Sequence, residues 1–338
     1  RSNRYISPSC QARLRRRKRE TDRGKKMADR PHVLALIPLP PVARESLAAH
    51  YELHLAPNGP ESIGSEVPLE KIAAVATNGT TGLGPQLMDR MPNLRVVSTF
   101  GVGHDNVDLS AAKARGVIVT NAPGTNDETV ADHALGFILA LSRGYASLTQ
   151  AVRTGQLESA RAARPILSGA TFVFFGMGFF GQGIAKRGAA FGMRVLYCTR
   201  NPRSDLPYGF VPDLKTMAQE CDYLVAACPG GAATHHIINA EVLSALGPKG
   251  FVVNVARGSV VKTDDLVHAL QHHRIAGAGL DVFESEPDVP PALLHLDNVL
   301  LTPHMAGRSP AAQRAQTNAM LASFGDALAG RVPELAVG

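Results

Sequence analysis

The chain lacks the features that would place it in a membrane, a secreted scaffold or a repeat array. No apolar run reaches the eighteen or so residues of a helical membrane span. Four cysteines (Cys10, Cys198, Cys221 and Cys228) form no CxxC pair and show no secreted-domain spacing, so they read as reduced thiols in a cytoplasmic compartment. No fixed short period marks a solenoid. The adjacent pairs His235–His236 and His272–His273 have no Cys, Asp or Glu at ligand spacing. Neighbouring side chains on a regular element also point apart, so the expectation is solvated surface and no metal.

What is present is a soluble composition, 45% apolar over 338 residues, enough for about two domains. The net charge of +6 comes from the leader, residues 1–26, where eleven Lys or Arg face two acids. The remaining 24 basic and 27 acidic residues leave a body of −3. The leader lacks an initial Met, and Met27 opens "MADRPHVLALIPLP". It therefore reads as a translated upstream or vector-borne segment outside the fold, with "RLRRRKR" as a nucleic-acid or targeting arm the alternative. The acidic body argues against nucleic acid as a partner, and no membrane partner is expected.

From Met27 onward short apolar runs alternate with helical patterns. "HVLALI", "YELHL", "AAVAT", "LRVVSTF" and "GVIVTN" read as strands, with "GPQLMDRM" and "DLSAAKARG" as short helices between the last three. A second series runs "TFVFFGMG", "RVLYC", "DYLVAAC", "GFVVNVA", "AGAGLDVF" and "NVLLTPH". Such alternation implies right-handed crossovers and mostly parallel sheets, an α/β fold in two domains. Between the series, "TNDETVADHALGFILALSRGYASLTQAVRTG" is predicted as one long helix opened by a Thr125/Glu128 capping box. The final helical run, "SPAAQRAQTNAMLASFGDALAG", has no strand of its own to cover and is expected to return to the first domain. The expected division is 27–125 with 308–338, and 126–307.

Gly176, Gly178 and Gly181 stand in G-x-G-x-x-G spacing between a strand and a helix. The first glycine suits a tight turn and the second a close approach of backbone to pyrophosphate. The third suits helix-to-strand packing, with the helix N-terminus facing the phosphate charge. An NAD-binding unit would usually place an acid at the end of the next strand for the ribose hydroxyls. From Lys186 to Ser204 there is none, and Asp205 arrives only in a Pro- and Ser-rich loop. Thr199, Arg200 and Arg203 stand there instead, donors suited to a 2′-phosphate, so NADP(H) is preferred, with NAD(H) possible.

With six motifs in order, the chain resembles the D-isomer-specific 2-hydroxyacid dehydrogenases, closest to their bacterial glyoxylate/hydroxypyruvate and 2-ketogluconate reductases. The motifs are "STFGVGHDNVDL", "NAPGTNDETVADHALGFILALSR", "GMGFFGQGIAKRGAAFGMRV", "VNVARGSVV", "AGLDVFESEP" and "LTPHMAG". The resemblance implies an NAD(P)-binding Rossmann domain, with the hinge helix, beside a discontinuous flavodoxin-like substrate domain, in a homodimer. It implies NADPH-dependent reduction of glyoxylate or hydroxypyruvate to the D-2-hydroxy acid, with 2-ketogluconate or pyruvate as alternative substrates. A dinucleotide-sensing corepressor of the same family is the alternative from another class.

The resemblance also places the roles. His304 donates the proton and Glu286 pairs with it, because a carboxylate beside imidazolium stabilises the charged form near neutral pH. Arg257 clamps the substrate carboxylate and polarises the ketone. Asn78, Gly79, Val102 and Gly103 face that carboxylate, although for Asn78 and Gly79 a plain turn is nearly as good a reading. Further cofactor contacts fall on Val102, Phe179, Phe180, Cys228, Pro229, Val255, Ala256, Arg257, Asp281, His304 and Met305 to Gly307. Glu286 argues against the formate dehydrogenase branch, where Gln usually replaces that acid. The absence of Trp implies different packing after the hinge helix, and the short stretch after His304 leaves no room for a regulatory domain.

Overall fold

A computed structural model describes residues 30–176 and 178–337. The leader with Cys10, Met27 and Met177 lies outside them. Two compact units are present: one reaches to Pro123 and resumes at Gln313, and the other is Gly124–Ala312.

The first unit holds a five-stranded, all-parallel sheet: β1 (His32–Ala35), β2 (Glu52–Leu55), β3 (Ile72–Thr77), β4 (Val96–Thr99) and β5 (Ile118–Thr120) in the order β2-β1-β3-β4-β5. Its middle strands are buried almost throughout because both faces are covered. Met320, Phe324 and Ala327 of the last helix, Pro310–Leu328, pack with Val33, Ala35, Ala74 and Val96 on one face. The helical run without a strand of its own therefore covers the first unit's sheet. A helix that the sequence pattern does not announce, Pro41–His50, starts with Pro41 in its first turn and buries only Ala43 and Leu47.

The second unit holds seven strands: β6 (Thr171–Phe175), β7 (Arg194–Cys198), β8 (Gly209–Phe210), β9 (Tyr223–Ala226), β10 (Phe251–Asn254), β11 (Gly277–Leu280) and β12 (Val299–Leu301). All are parallel, in the order β12-β11-β10-β9-β6-β7-β8. The two-residue β8 beside β7 is an addition to the expected strands. Successive side chains of each run divide between the two faces: Phe172, Phe174, Tyr197 and Tyr223 pack against Val130, Ala134 and Ile138. Val173, Leu196 and Leu224 pack against Met217, Leu243 and Leu270. This is the doubly wound α/β plan of a Rossmann domain, beside a flavodoxin-like order in the first unit.

Two local expectations around residues 125–155 are corrected. Instead of one helix there are two, Asp127–Arg143 and Tyr145–Arg153, because Gly144 adopts the left-handed conformation (φ +66°) and caps the first through Ala140 and Leu141 carbonyls. The capping box does not form. Asn126 is the N-cap, without a side-chain cap, and the Glu128 carboxylate accepts from Arg187 Nη2 at 2.7 Å. An arginine fork outcompetes a single backbone amide for that carboxylate.

Candidate active site

In the second sheet β6 pairs with β7 on one side and β9 on the other, so chain direction away from β6 reverses there. Ligands of such sheets bind at the carboxyl ends of the strands at this point. Gly176 ends β6 with φ +99°, and a Cβ there would stand 2.6 Å from Cys228 Cα. No side chain fits, so the turn hugs the end of β9 and leaves its outer side to a ligand. Around Gly178, the N-cap of the helix Phe179–Ala190, an added Cβ would meet nothing within 4 Å. Gly181 is buried in that helix. Closest packing of the helix falls on two later glycines: a Cβ would stand 3.1 Å from Ala131 Cβ at Gly183 and 2.6 Å from the Phe172 ring at Gly188. A bare turn running into a helix N-terminus is the cradle that a pyrophosphate requires, and it fits the dinucleotide expected from the glycine spacing.

At the end of β7, Thr199 Oγ1 donates to the Asn201 carbonyl at 2.7 Å, and Arg200 is exposed. Arg203 is different from the expectation. Asp205, six residues beyond Thr199, takes its fork: Nε donates to Oδ1 at 3.0 Å and Nη2 to Oδ2. Its backbone is tied to Tyr197 Oη, which accepts from the Arg203 amide at 2.8 Å. Arg203 is thus held by a carboxylate two residues further along the loop, while Arg200 remains outward.

Past β10 to β12 the candidate catalytic residues come together. His304 Nδ1 lies 2.7 Å from Glu286 Oε2, and Glu286 Oε1 accepts from the Phe283 amide at 2.9 Å. Burial would raise the Glu286 carboxyl. The His304 hydrogen bond and charge, the Phe283 amide and the Arg257 charge together hold it below the usual carboxylate range. Arg257 is half-buried, with Nη1 donating to the Ala256 carbonyl at 2.7 Å. Its backbone carbonyl accepts from Asn254 Nδ2 at 2.9 Å, while Asn254 Oδ1 takes the Ala256 amide. Gly258 lets this turn press on the next strand end, for a Cβ would lie 2.0 Å from the Phe283 carbonyl carbon.

His304 itself has φ +49°, a conformation L-residues rarely adopt. Asp281 holds it there. The Asp281 carbonyl accepts from the His304 amide, Oδ1 from the Met305 amide and Thr302 Oγ1, and Oδ2 from the Ala306 amide, all at 2.6–2.8 Å. Asp281 is 1% exposed, so the work visible for it is to shape the His304 turn. His133 was not singled out in the sequence. It reaches from the helix Asp127–Arg143 to Thr302 Oγ1 at 3.0 Å, and its ring stands edge-on to Phe137. No local pattern could have flagged a histidine 169 residues from its partner. Val255, Ala256 and Cys228 are buried and Pro229 exposed. Burial pushes the Cys228 thiol up to about 12 although Arg257 pulls the other way. Met305 is exposed and Gly307 passes against the Asn126 side chain. Phe180 packs on the core face of the Rossmann sheet.

In the first unit the loops after β3 and β4 lie together: a Cβ on Gly79 would stand 2.8 Å from the Gly103 carbonyl carbon. Asn78 Oδ1 accepts from the Thr80 and Thr81 amides, closing an Asx turn. Its side chain thus serves the turn first. Asn121 Nδ2 holds the Val102 carbonyl at 2.8 Å. Among the described residues the Val102 and Gly103 amides donate to no protein acceptor.

The expectation that the His235 and His236 side chains point apart does not hold, although His235 is exposed as expected. The two rings stack, with centroids 3.7 Å apart, and Glu284 hydrogen-bonds His236 Nε2. His236 has φ +53°, so the regular alternation that would separate neighbouring side chains does not apply.

Residues 135–306 match the family profile of the NAD-binding domain of D-isomer-specific 2-hydroxyacid dehydrogenases. The chain is 38% identical to a 2-ketogluconate reductase of Gluconobacter oxydans, over 86% of this chain and 94% of that one. It is 36% identical to a glyoxylate/hydroxypyruvate reductase of Arabidopsis thaliana, with the same shares covered. Among solved structures it resembles the NADPH-dependent glyoxylate/hydroxypyruvate reductase of Sinorhizobium meliloti in complex with NADP and malonate. That likeness has a TM-score of 0.84 and 39% identity, covering 92% of this chain and 97% of that one.

Proposed function

The chain belongs to the D-isomer-specific 2-hydroxyacid dehydrogenase family, and on that premise we propose that it uses NADPH to reduce glyoxylate or hydroxypyruvate to the D-2-hydroxy acid, with His304 as proton donor. The observation that carries this reading is the 2.7 Å contact of His304 with Glu286, beside the Arg257 charge. A proton donor, its orienting carboxylate and a cation for the substrate carboxylate are the groups this reduction needs.

Reduction adds a hydride to the carbonyl carbon and a proton to its oxygen. Reduced nicotinamide, when bound, supplies the hydride. The glycine turn Gly176–Gly178 and the amides opening the helix Phe179–Ala190 are the residues to hold its pyrophosphate, and Thr199 and Arg200 its 2′-phosphate. Glu286 accepts from His304 Nδ1–H and leaves Nε2 to carry the transferable proton. Arg257 binds the carboxylate and draws charge toward the carbonyl oxygen. In the first unit, the Val102 and Gly103 amides are donors suited to a carboxylate. In oxidation neutral His304 takes the hydroxyl proton back.

Initial rates with NADPH and with NADH, on glyoxylate, hydroxypyruvate and 2-ketogluconate, test the proposal, with Arg200→Asp run alongside. Faster turnover with NADPH, shifting toward NADH in the variant, is expected. Turnover with NADH alone rules out the phosphate role of Arg200. NADPH binding without reduction of any keto acid makes the chain a dinucleotide sensor.

A further inference from the structure

We propose that His235, His236 and Glu284 form a binding site for one divalent transition cation of the zinc class, separate from the residues assigned to keto-acid reduction. The metal-ligating atoms of the three side chains all lie within 4.8 Å of one another. Among the described residues no other trio of histidine, cysteine or carboxylate ligands comes so close.

Three features distinguish the trio from an ordinary surface ion pair. The first is the carboxylate, which is fixed before any ligand arrives. Glu284 Oε2 accepts from the Thr263 amide at 3.1 Å and from Thr263 Oγ1 at 2.6 Å, which turns Oε1 toward the imidazoles. Hydrogen-bonded carboxylates of this kind are the usual outer support of a metal ligand.

The second is the backbone. The left-handed φ of His236 and its amide bond to the Ser259 carbonyl at 2.8 Å bring two consecutive imidazoles to the same side. Strain of this kind costs free energy and persists where the surroundings impose it.

The third is the stacking itself. An ion pair needs only His236 and Glu284, yet the His235 ring lies on His236 with an interplanar angle of 30°. One cation shared by the two rings and the carboxylate gives the second ring a role that the ion pair does not.

Two imidazoles and one carboxylate make the ligand set of a tetrahedral zinc whose fourth position is left to water, and the same set suits cobalt, nickel and copper. Ligand atoms on one tetrahedral zinc stand about 3.3 Å apart, so the hydrogen-bonded His236–Glu284 pair opens to admit the ion while any wider separation within the 4.8 Å of the trio closes. The cation would link the segment after β9 to the segment after β11, at residues that neither contact nor orient His304.

The test is calorimetric titration of Zn2+ into the full-length, chelator-stripped chain, with Co2+ absorption in the visible region as a direct report of ligation. One equivalent should bind in the micromolar range. His235→Ala, which removes an exposed ring and leaves the Glu284–Thr263 bonds intact, should weaken binding by at least about tenfold, as should Glu284→Gln. Thr263→Val should cost about tenfold through the carboxylate it orients. The double change His268→Ala/His272→Ala serves as control, since that pair stacks with centroids 4.2 Å apart and belongs to no ligand trio. It should leave the titration unchanged. Circular dichroism confirms that each variant is folded. Failure of the wild-type chain to take up Zn2+ at submillimolar concentration overturns the proposal. So does uptake that His235→Ala and Glu284→Gln leave unaltered, because the ion then sits on other histidines.

Discussion

His133 Nε2 stands 3.0 Å from Thr302 Oγ1, and Thr302 Oγ1 in turn donates to Asp281 Oδ1 at 2.6 Å. With its proton committed to Asp281, the hydroxyl accepts from His133, so the Nε2–H tautomer is required. The helix Asp127–Arg143 is thereby tied to the turn that carries His304. Replacing His133 with Ala should lower kcat about ten- to a hundredfold while the KM for NADPH changes little, since small misplacements of a reacting group are costly. His133→Gln, which keeps a donor, should recover part of the loss. Equal kcat in the wild type and the Ala variant would show that Asp281 alone holds the turn.

Glu286→Gln removes the charge but keeps the shape of the partner of His304. A fall in kcat of about a hundredfold is expected, within the range for impaired general acid catalysis. The depressed Glu286 carboxyl also sets a pH dependence of stability. Because its folded value lies below its unfolded one, its contribution is present above the ordinary carboxylate range and is lost as pH falls through the folded value. Urea unfolding of the two proteins should therefore differ at pH 7 and converge in acid. A constant difference at every pH would detach the effect from this ionisation.

Cys221 and Cys228 are buried, and burial raises both thiols to about 12. In a Cys10→Ser background the folded chain should react slowly with a disulfide reagent at pH 8 and rapidly once denatured. Stability should also decline from about pH 9 upward, because the unfolded thiols ionise there while the folded ones keep their protons. Fast reaction of the folded chain would mean these thiols are not sheltered.

Gly258 is irreplaceable on steric grounds. A Cβ 2.0 Å from the Phe283 carbonyl carbon forces backbone to move, so Gly258→Ala should cost about 3 kcal/mol or more of stability and most of the turnover. Denaturant midpoints measure the first and initial rates the second; an unchanged midpoint would contradict the packing.

Asp205 occupies the Arg203 fork on the surface. Asp205→Ala should release that arginine for a 2′-phosphate and lower the KM for NADPH a few-fold without affecting NADH, since exposed pairs hold weakly. A parallel change for both cofactors would argue that Arg203 takes no part.

Much of this chain was legible in its order of residues. The apolar runs of β3, β6, β9 and β10 announced parallel strands because a sheet covered on both faces needs no polar alternation. Gly176 announced its turn because a positive φ and the close approach of the Cys228 backbone leave few other choices. Gly144, by contrast, sits in a run that reads as helix on both sides. Its role as a stop depends on the left-handed conformation it adopts, which the helical pattern does not reveal.

What the tertiary structure decided is which distant side chains meet. Glu128 could cap its own helix or bind Arg187, and the packing of two helices chose the arginine. His236 meets Glu284 across 48 residues, and His133 meets Thr302 across 169. The sequence by itself determined most of the strands and the glycine turn, because backbone conformation is largely a local property. The tertiary structure alone decided the partners of the site residues, because a hydrogen bond depends on distance in space, which the crossovers of the sheet set and the spacing along the chain does not.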